Sequence, residues 1–308
     1  MKKAIIVGAN GFLGSNLAMH LSSLGVKVIA LTDARFDYTF LKDKTGIKCL
    51  EFELSHLSAL DNHPSLEGSD VIYHMAWSGV PTSLKNEADI QAENISYGLS
   101  VMEFAARNHI RKVVVPGSAS EYSLGEGVID GKNFPAPSDM YAASKVATRF
   151  LCQTYARLHE IDFVWMAVTS VYGPGRNDNN LVTYAIKSLL NGECPGFTRL
   201  EQQWDYIYID DLISAFAAVG EKGIGGKVYP VGSGIHRPMS EYVTTIRDLI
   251  DPSLPLDIGR LPYKNDKIDN QVLDISELVK DTGFEPHYSF EEGIRQTIAY
   301  FKTNNLLR

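Results

Sequence analysis

The sequence predicts an α/β protein in which a doubly wound parallel sheet is completed by a smaller C-terminal lobe. In the first half of the 308-residue chain, short apolar runs alternate with longer helical patterns. This alternation is typical of right-handed βαβ crossovers. After about Tyr172 the apolar runs shorten and Gly and Pro are scattered through the chain. We therefore place the first domain at residues 1–172 and the lobe at residues 173–308, with the chain able to cross back between them.

Six runs rich in β-branched and apolar residues predict the strands of the sheet. Their apolar character is almost continuous, as expected for strands that helices cover on both faces. The runs lie at residues 4–7, 27–31, 48–52, 71–75, 113–116 and 163–169.

Long helical patterns separate these strands, at about residues 12–24, 90–109 and 140–159. In the second pattern, Ile95, Leu99, Met102 and Ala106 recur at the spacing of one helix face. In the lobe, the patterns predict helices at 181–190, 210–219, 240–250 and 290–302 and short strands at 206–209 and 227–230.

Composition and charge exclude several classes of function. Apolar residues make up 44% of the chain and charged residues 21%, so a core of ordinary size can form. The 29 Lys and Arg against 37 Asp and Glu give a net charge of −8, which argues against a nucleic-acid or anionic-membrane partner. No run approaches the roughly 18 apolar residues that a membrane span needs.

Cysteine and histidine usage predicts a reduced, cytoplasmic setting and no metal site. Cys49, Cys152 and Cys194 are widely spaced, and the sequence contains no Cys-x-x-Cys. A disulfide framework or a zinc site is therefore not expected. The histidines are scattered without the spacing of metal ligands.

A glycine-rich turn follows the first predicted strand and opens the first predicted helix. Its pattern is Gly-x-x-Gly-x-x-Gly, and such glycines let a pyrophosphate approach the amides of a helix N-terminus. The alternative is a packing turn that holds no ligand. The position in a βαβ unit favours a Rossmann-like dinucleotide site that includes Gly8, Asn10, Gly11, Phe12, Leu13 and Gly14.

The residue that meets the adenosine ribose is expected near the end of the second strand. Asp33 can hold the ribose hydroxyls of NAD and would repel the 2′-phosphate of NADP. Arg35, together with Thr32, can instead accommodate that phosphate. The sequence leaves NAD or NADP open and favours NAD. Glu53 and Leu54 either meet the adenine or are a surface acid beside a core leucine.

The most informative stretch places Tyr141 and Lys145 on one face at the start of a helix. A free phenol has a pKa of roughly 10, and a neighbouring ammonium favours its ionised form. Tyr141 can therefore exchange a proton with a hydroxyl or carbonyl whose carbon exchanges hydride. Ser118 ends the fifth strand, where ligands bind in open α/β sheets, and can hydrogen-bond the reacting oxygen. The alternative for the Tyr–Lys pair is an exposed helix face.

Together these residues resemble the extended short-chain dehydrogenase/reductase family, in its nucleotide-sugar epimerase, dehydratase and ketoreductase branch. The resemblance runs along nearly the whole chain and includes the segments 8–14, 74–76, 118–122, 141–145, 171–174 and 205–212. It implies that Ser118, Tyr141 and Lys145 are catalytic and that Tyr141 and Lys145 also contact the coenzyme. It further implies a homodimer that pairs the helices near 90–109 and 140–159.

The resemblance also assigns the remaining contacts. Met75, Ala76 and Trp77 are expected to line the coenzyme. The segments after the fourth strand, after Ser118 and after Ser170 are expected to meet the sugar. Their substrate-binding residues would be Trp77, Ser78, Ser120, Ser170, Asn180 and Leu181.

Four positions depart from the family pattern. Dehydratases of this branch carry an Asp-Glu pair directly after the catalytic Ser or Thr, whereas Ala119 and Ser120 stand here and Glu121 lies one step too far. Trp204 replaces a frequent diphosphate-binding Arg, and Ser170 replaces a frequent Asn. Trp77 replaces a small residue and is shared with some 4-keto-sugar reductases. The diphosphate is left with several candidates, namely Arg199, Arg237, Arg260 and Lys264.

These observations predict an NAD(P)-dependent enzyme that acts on a nucleotide-diphosphate sugar, either as a 4-ketoreductase or as a 4-epimerase. Both reactions use the same tyrosine and the same hydride. The alternatives are a non-catalytic NAD(P)-binding sensor or scaffold, because a fold alone does not fix function, and a reductase of a non-nucleotide carbonyl compound.

Overall fold

The structure is a computed structural model that describes residues 1–176, 178–263 and 270–304. A parallel sheet of seven strands forms its centre: β1 (Lys3–Val7), β2 (Lys27–Thr32), β3 (Ile47–Glu51), β4 (Val71–His74), β5 (Lys112–Ser118), β6 (Asp162–Val168) and β11 (Val228–Val231). The strands are ordered β3-β2-β1-β4-β5-β6-β11, and all pairings are parallel. The predicted doubly wound fold is confirmed.

The order of the strands reverses at β1. The chain runs outward from β1 through β2 to β3 and then returns to β4 on the other side of β1. Such a reversal opens a crevice at the carboxyl ends of the strands, where open α/β sheets bind their ligands. Val7 and His74 pair at this edge, and Ser118 ends β5 at the same edge.

Two pairs of helices cover the two faces of the sheet, α1 (Phe12–Ser23) with α5 (Ile209–Lys222) and α2 (Ala88–Arg107) with α3 (Met140–Leu158). Strand β1 feeds both faces because its side chains alternate. Ala4 and Ile6 belong to the core that includes α1 and α5, whereas Ile5 and Val7 belong to the core that includes α2 and α3. All four are fully buried, which explains the continuous apolar run.

The lobe is built from short strand pairs and four helices. The strands are β7 (Ser170–Tyr172) with β10 (Tyr206–Tyr208), β8 (Gly196–Phe197) with β13 (Asp257–Ile258), and β9 (Gln203–Trp204) with β12 (Arg237–Pro238). The helices are α4 (Leu181–Leu190), α6 (Met239–Ile250), α7 (Ser276–Thr282) and α8 (Phe290–Thr303). An aromatic cluster joins β7 and β10 to α6 and α8, with neighbouring ring centroids 4.6 to 6.4 Å apart: Tyr172, Tyr206, Tyr208, Tyr242 and Phe290.

The chain crosses back to the sheet after it has built part of the lobe. The strand predicted at 227–230 is β11, which pairs with β6 at the edge of the central sheet. Helix α5 likewise packs against α1. The division at residue 172 stays a prediction. Helix α7 is not among the predicted helices, because its seven residues are too few to show a helical period.

Three further features concern the described ranges alone. No helix there combines the length and the hydropathy that crossing a membrane requires. The same ranges contain no group of three or more His, Cys, Asp or Glu side chains arranged to hold a metal ion. All three cysteines are free thiols.

Candidate active site

The glycine-rich turn is shaped by close backbone contacts at two of its three glycines. Gly8 has a φ of 81°, in the left-handed region that favours glycine. A Cβ there would lie 2.7 Å from the backbone nitrogen of Ala76. A Cβ on Gly14 would lie 2.2 Å from the carbonyl oxygen of Gly8. These two glycines are therefore explained by the packing of α1 and β4 against the turn.

Gly11 has no such explanation within the protein. Its φ is −77°, and a Cβ there would lie at an ordinary 3.5 Å from the carbonyl oxygen of Gly8. It is exposed at the N-terminus of α1, where no side chain of the described chain caps the helix. The amides of Phe12 and Leu13 begin this helix, whose partial positive charge favours an anion. A bound pyrophosphate would explain the open space beside Gly11.

The adenosine end of the crevice is organised around Asp33. The side chain of Asn10 donates to the carbonyl oxygen of Asp33 at 3.1 Å and so ties the turn to the end of β2. Arg35 donates to both carboxylate oxygens of Asp33, from Nε at 2.9 Å and from Nη2 at 2.5 Å. These bonds lower the pKa of Asp33. Glu53 is exposed 3.3 Å from His56, while Leu54 packs partly buried on the core.

The edge of the sheet brings Ser118 and Tyr141 together. Asp139 caps α3 by accepting from the amide of Ala142 at 2.7 Å, and this fixes Tyr141 in the first turn. Ser118 Oγ lies 2.7 Å from Ser120 Oγ. Burial raises the pKa of Tyr141 to about 12, and a hydrogen bond with the Ser118 side chain opposes this shift. The phenol is therefore neutral around pH 7.

Lys145 lies one helical turn further along and is almost fully enclosed. Its side chain is 3% exposed, and its Nζ donates to the carbonyl oxygen of Pro116 at 2.7 Å. The same ammonium lies 3.5 Å from the centroid of the Trp77 ring and 5.8 Å from that of Tyr141. Burial lowers the pKa of Lys145 to about 7, while the charge of Glu121 acts in the opposite direction.

Glu121 is part of a buried network beneath these residues and does not face the crevice. It is 0% exposed, and its Oε1 accepts from the amide of Ser118 at 2.8 Å and from Trp165 Nε1 at 2.9 Å. Its other oxygen lies 3.4 Å from Nη1 of Arg149. The carboxylate therefore holds the end of β5 in place and is not available to a substrate.

Comparison with known proteins decides the family. The model of the NAD dependent epimerase/dehydratase family matches residues 4–232, which is more than half of the chain.

The chain belongs to this family.

Its relatives act on nucleotide sugars by their names. A dTDP-glucose 4,6-dehydratase of Xanthomonas campestris pv. campestris is 26% identical, over 97% of this chain and 93% of its own length. A UDP-glucose 4-epimerase of Mycolicibacterium smegmatis is 25% identical, over 98% and 99%. The solved UDP-glucuronic acid 4-epimerase from Bacillus cereus, in complex with UDP-glucuronic acid and NAD, has a TM-score of 0.86 at 23% identity and covers 98% and 99%. The resemblance to the nucleotide-sugar branch is confirmed, and the structural likeness supports the fold.

The other residues that we expect to meet the sugar have varied surroundings in this family member. Ser78 is exposed, and its amide donates to Asn94. Ser170 Oγ accepts from Trp204 Nε1 at 3.0 Å. Asn180 caps α4 by accepting from the amides of Val182 and Thr183, and Leu181 is partly buried. Their role in substrate binding stays a prediction.

The candidates for the diphosphate each have an acidic neighbour. Arg199, Arg237 and Arg260 lie 3.3, 2.8 and 3.8 Å from carboxylate oxygens of Glu201, Glu291 and Asp257. Lys264 lies outside the described residues. A diphosphate would therefore compete with an ion pair at each described arginine.

Two cations near Tyr141 were not predicted from the sequence. The Nζ of Lys85 lies 5.0 Å from the centroid of the Tyr141 ring, and it has no ion pair within the part of the chain that the structure describes. Arg176 donates to Asp178 and to the carbonyl oxygen of Val171, and its charge lowers the pKa of Tyr141. Both lie on loops without a periodic pattern, so no sequence signal singled them out.

Proposed function

We propose that this protein is an NAD-dependent enzyme that transfers hydride at C4 of a nucleotide-diphosphate sugar, as a 4-ketoreductase or a 4-epimerase. One observation carries the proposal. Ser118, Tyr141 and Lys145 gather at the carboxyl edge of the sheet, in the crevice that the glycine-rich turn also lines. The names of the relatives, which are epimerases and dehydratases of nucleotide sugars, support the substrate class.

The fit of a dinucleotide rests on the turn and on Asp33. The amides of Phe12 and Leu13 would hold the pyrophosphate beside Gly11, and Asp33 would accept from the adenosine ribose. Ala76 and Trp77, which follow the strand that packs on Gly8, would line the nicotinamide end. Bound NAD would supply the hydride chemistry that no side chain provides.

Tyr141 moves the proton in this proposal. In the reducing direction, its hydroxyl donates a proton to the carbonyl oxygen, while Ser118 Oγ donates a hydrogen bond to the same oxygen. A pKa of about 12 keeps the phenol protonated, which suits this acid role. We therefore place the ketoreductase before the epimerase. Lys145 stabilises the phenolate that remains after the transfer.

Dehydration is not part of the proposal. Loss of water from the sugar needs an acid and a base close to the reacting carbons. Ala119 and Ser120 occupy the positions where dehydratases of the branch carry that pair. Glu121 is fully buried and bonded to the amide of Ser118 and to Trp165, so it cannot replace them.

A substrate panel tests the proposal directly. UDP-, dTDP-, GDP- and CDP-sugars and their 4-keto forms are incubated with NADH and with NADPH, and products are resolved by mass spectrometry and NMR. We expect turnover of at least one nucleotide sugar. Stoichiometric consumption of NADH identifies a ketoreductase, and inversion at C4 without net consumption identifies an epimerase. NAD(H) binding without turnover would instead favour a sensor, and turnover of simple carbonyl compounds alone would favour a non-nucleotide reductase.

Asp33 is expected to set the preference for NAD. In the Asp33→Ala variant, the Kd of NADH should rise by about 10- to 100-fold, because hydrogen bonds from a charged acceptor to the ribose are lost. The Kd of NADPH should stay the same or fall, because the repulsion is removed and Arg35 is released. Isothermal titration calorimetry measures both. The control is Arg35→Ala, which should change NADH binding less than about threefold. Unchanged NADH binding in Asp33→Ala would exclude Asp33 as the ribose ligand.

We also propose that the protein is a homodimer that pairs α2 and α3 of two subunits. The two helices pack against each other within one subunit. Helix α3 leaves Leu151 and Leu158 exposed, seven residues apart and therefore on one face. A second copy of the same helix pair would cover these leucines.

A further inference from the structure

Trp77 lies directly against the ammonium of Lys145. The Nζ atom is 3.5 Å from the centroid of the indole, well within the range of about 6 Å at which a cation is attracted by an aromatic face. The edge relation to Tyr141 is equally defined, with ring centroids 6.1 Å apart and planes at 82°. One face of the indole is thus taken by the cation, so this face is not free to stack on a sugar.

Two buried amides lock the indole in this place. Trp77 Nε1 donates to Oε1 of Gln91 at 3.3 Å, and the same oxygen accepts from Ser144 Oγ at 3.1 Å. Gln91 Nε2 donates to the carbonyl oxygen of Gly79 at 3.0 Å. Asn94 binds both the amide and the carbonyl of Ser78 at 2.9 Å. Gln91 is 0% and Asn94 2% exposed, so α2 fixes the whole segment 77–79.

The position of Lys145 is therefore determined from two sides. The carbonyl oxygen of Pro116, in β5, accepts from Nζ, and the indole of Trp77 covers another side of the ammonium. We propose that Trp77 is the positioning residue for Lys145 and clamps the ammonium against the end of β5. The link from this clamp to catalysis rests on the proposed function, whereas the clamp itself does not.

The clamp has a physical purpose because Lys145 is held in a dry site. Burial disfavours its charged form, and a neutral lysine would no longer favour the Tyr141 phenolate. An aromatic face attracts a cation and not a neutral amine, and it does so more strongly where water is excluded. Trp77 therefore opposes the effect of burial at the atom where the charge is needed.

The other groups around Lys145 cannot replace this contribution. From the segment after β5, the carboxylate of Glu121 favours the ammonium but is shared with Arg149 of α3. From β4, His74 is fully buried, and burial lowers its pKa to about 3, so it carries no charge near neutral pH. Tyr141 of α3 is neutral, and the Trp165 ring of β6 is more distant, at 5.9 Å.

The experiment follows Lys145 by NMR in protein that carries carbon-13 at the lysine Cε, without any substrate. The Lys145→Arg variant assigns the signal, which is titrated between about pH 5 and 10. In the unmodified protein the ring current of Trp77 should shift the Lys145 signal upfield of the exposed lysines. In Trp77→Leu the upfield shift should disappear and the midpoint should fall by about one pH unit, a tenfold change in the protonation equilibrium. Trp77→Phe keeps a weaker face and should fall less.

The controls separate the clamp from general disturbance. Trp204→Leu makes the same substitution at the tryptophan that donates to Ser170, and it should leave the Lys145 signal unchanged. If Trp77→Leu does not fold, Trp77→Met takes its place, because an unbranched side chain adapts to the gap. A fall of less than about half a pH unit, or a Lys145 signal no further upfield than the exposed lysines, would overturn the proposal. Because no substrate is involved, this outcome is independent of the panel.

Discussion

Replacing Tyr141 with phenylalanine is expected to lower kcat/KM for the nucleotide sugar at least about 100-fold, with the Kd of NADH changed less than about threefold. The substitution removes one oxygen atom and keeps the ring that packs against Trp77 and Lys85. The shape of the crevice is therefore preserved, while the group that donates the proton is lost. Steady-state kinetics and calorimetry on the same preparation measure the two quantities.

Tyr155→Phe is the matched control for this variant. Tyr155 belongs to the same helix, but its ring stacks on His159 at 4.0 Å, in the last turns of α3. Its kcat/KM should stay within about twofold of the unmodified enzyme, because exposed substitutions away from a site have small effects. Near-normal turnover in Tyr141→Phe would remove Tyr141 from the mechanism. A loss of NADH binding in that variant would show that the phenol holds the coenzyme instead.

Replacing Glu121 with leucine is expected to destabilise the protein by about 3–5 kcal/mol, because the change leaves the charge of Arg149 buried without its partner. Arg149 is 4% exposed, and its remaining side-chain bond is donated to the hydroxyl of Tyr122 at 2.7 Å. The amide of Ser118 and the indole N–H of Trp165 also lose their acceptor. Urea unfolding followed by circular dichroism measures the free energy of unfolding.

A double variant distinguishes the lost pair from a general packing defect. Glu121→Leu with Arg149→Met should recover at least about half of the lost stability, because replacing both members of a buried pair with apolar groups is often nearly neutral. Glu103→Gln removes an exposed partner of Arg107 and should cost no more than about 0.5 kcal/mol. A loss below about 1 kcal/mol in Glu121→Leu would contradict the buried network.

Much of the fold could be predicted from the sequence, because its decisive patterns are local. The strands from β1 to β6 are short apolar runs that helices cover on both sides, and the long helices show a clear period. The place of β11 in the central sheet could not be predicted, since strand order depends on contacts between distant residues. The same holds for Asp211, which accepts from the amides of His287 and Tyr288, whereas the sequence indicated only a helix start.

The candidate site divides along the same line. Ser118, Tyr141 and Lys145 were found because each occupies a fixed position relative to a strand end or a helix start. The contact between Trp77 and Lys145 was not, because it joins the loop after β4 to a helix nearly seventy residues later, and only the packing of Gln91 and Asn94 brings them together. The sequence therefore identified the reactive groups but not what holds them.

The late arrival of β11 has a consequence for how the protein is made. The outer edge of β6 stays open until residues 228–231 have been synthesised. At about 5–20 residues per second, the ribosome needs several seconds to pass from the end of β6 to that strand. Throughout this interval the nascent chain presents an apolar strand with unpaired amides and carbonyls, which is the kind of edge that recruits foreign strands. A chaperone that shields emerging polypeptides would have its main task on this protein during those seconds.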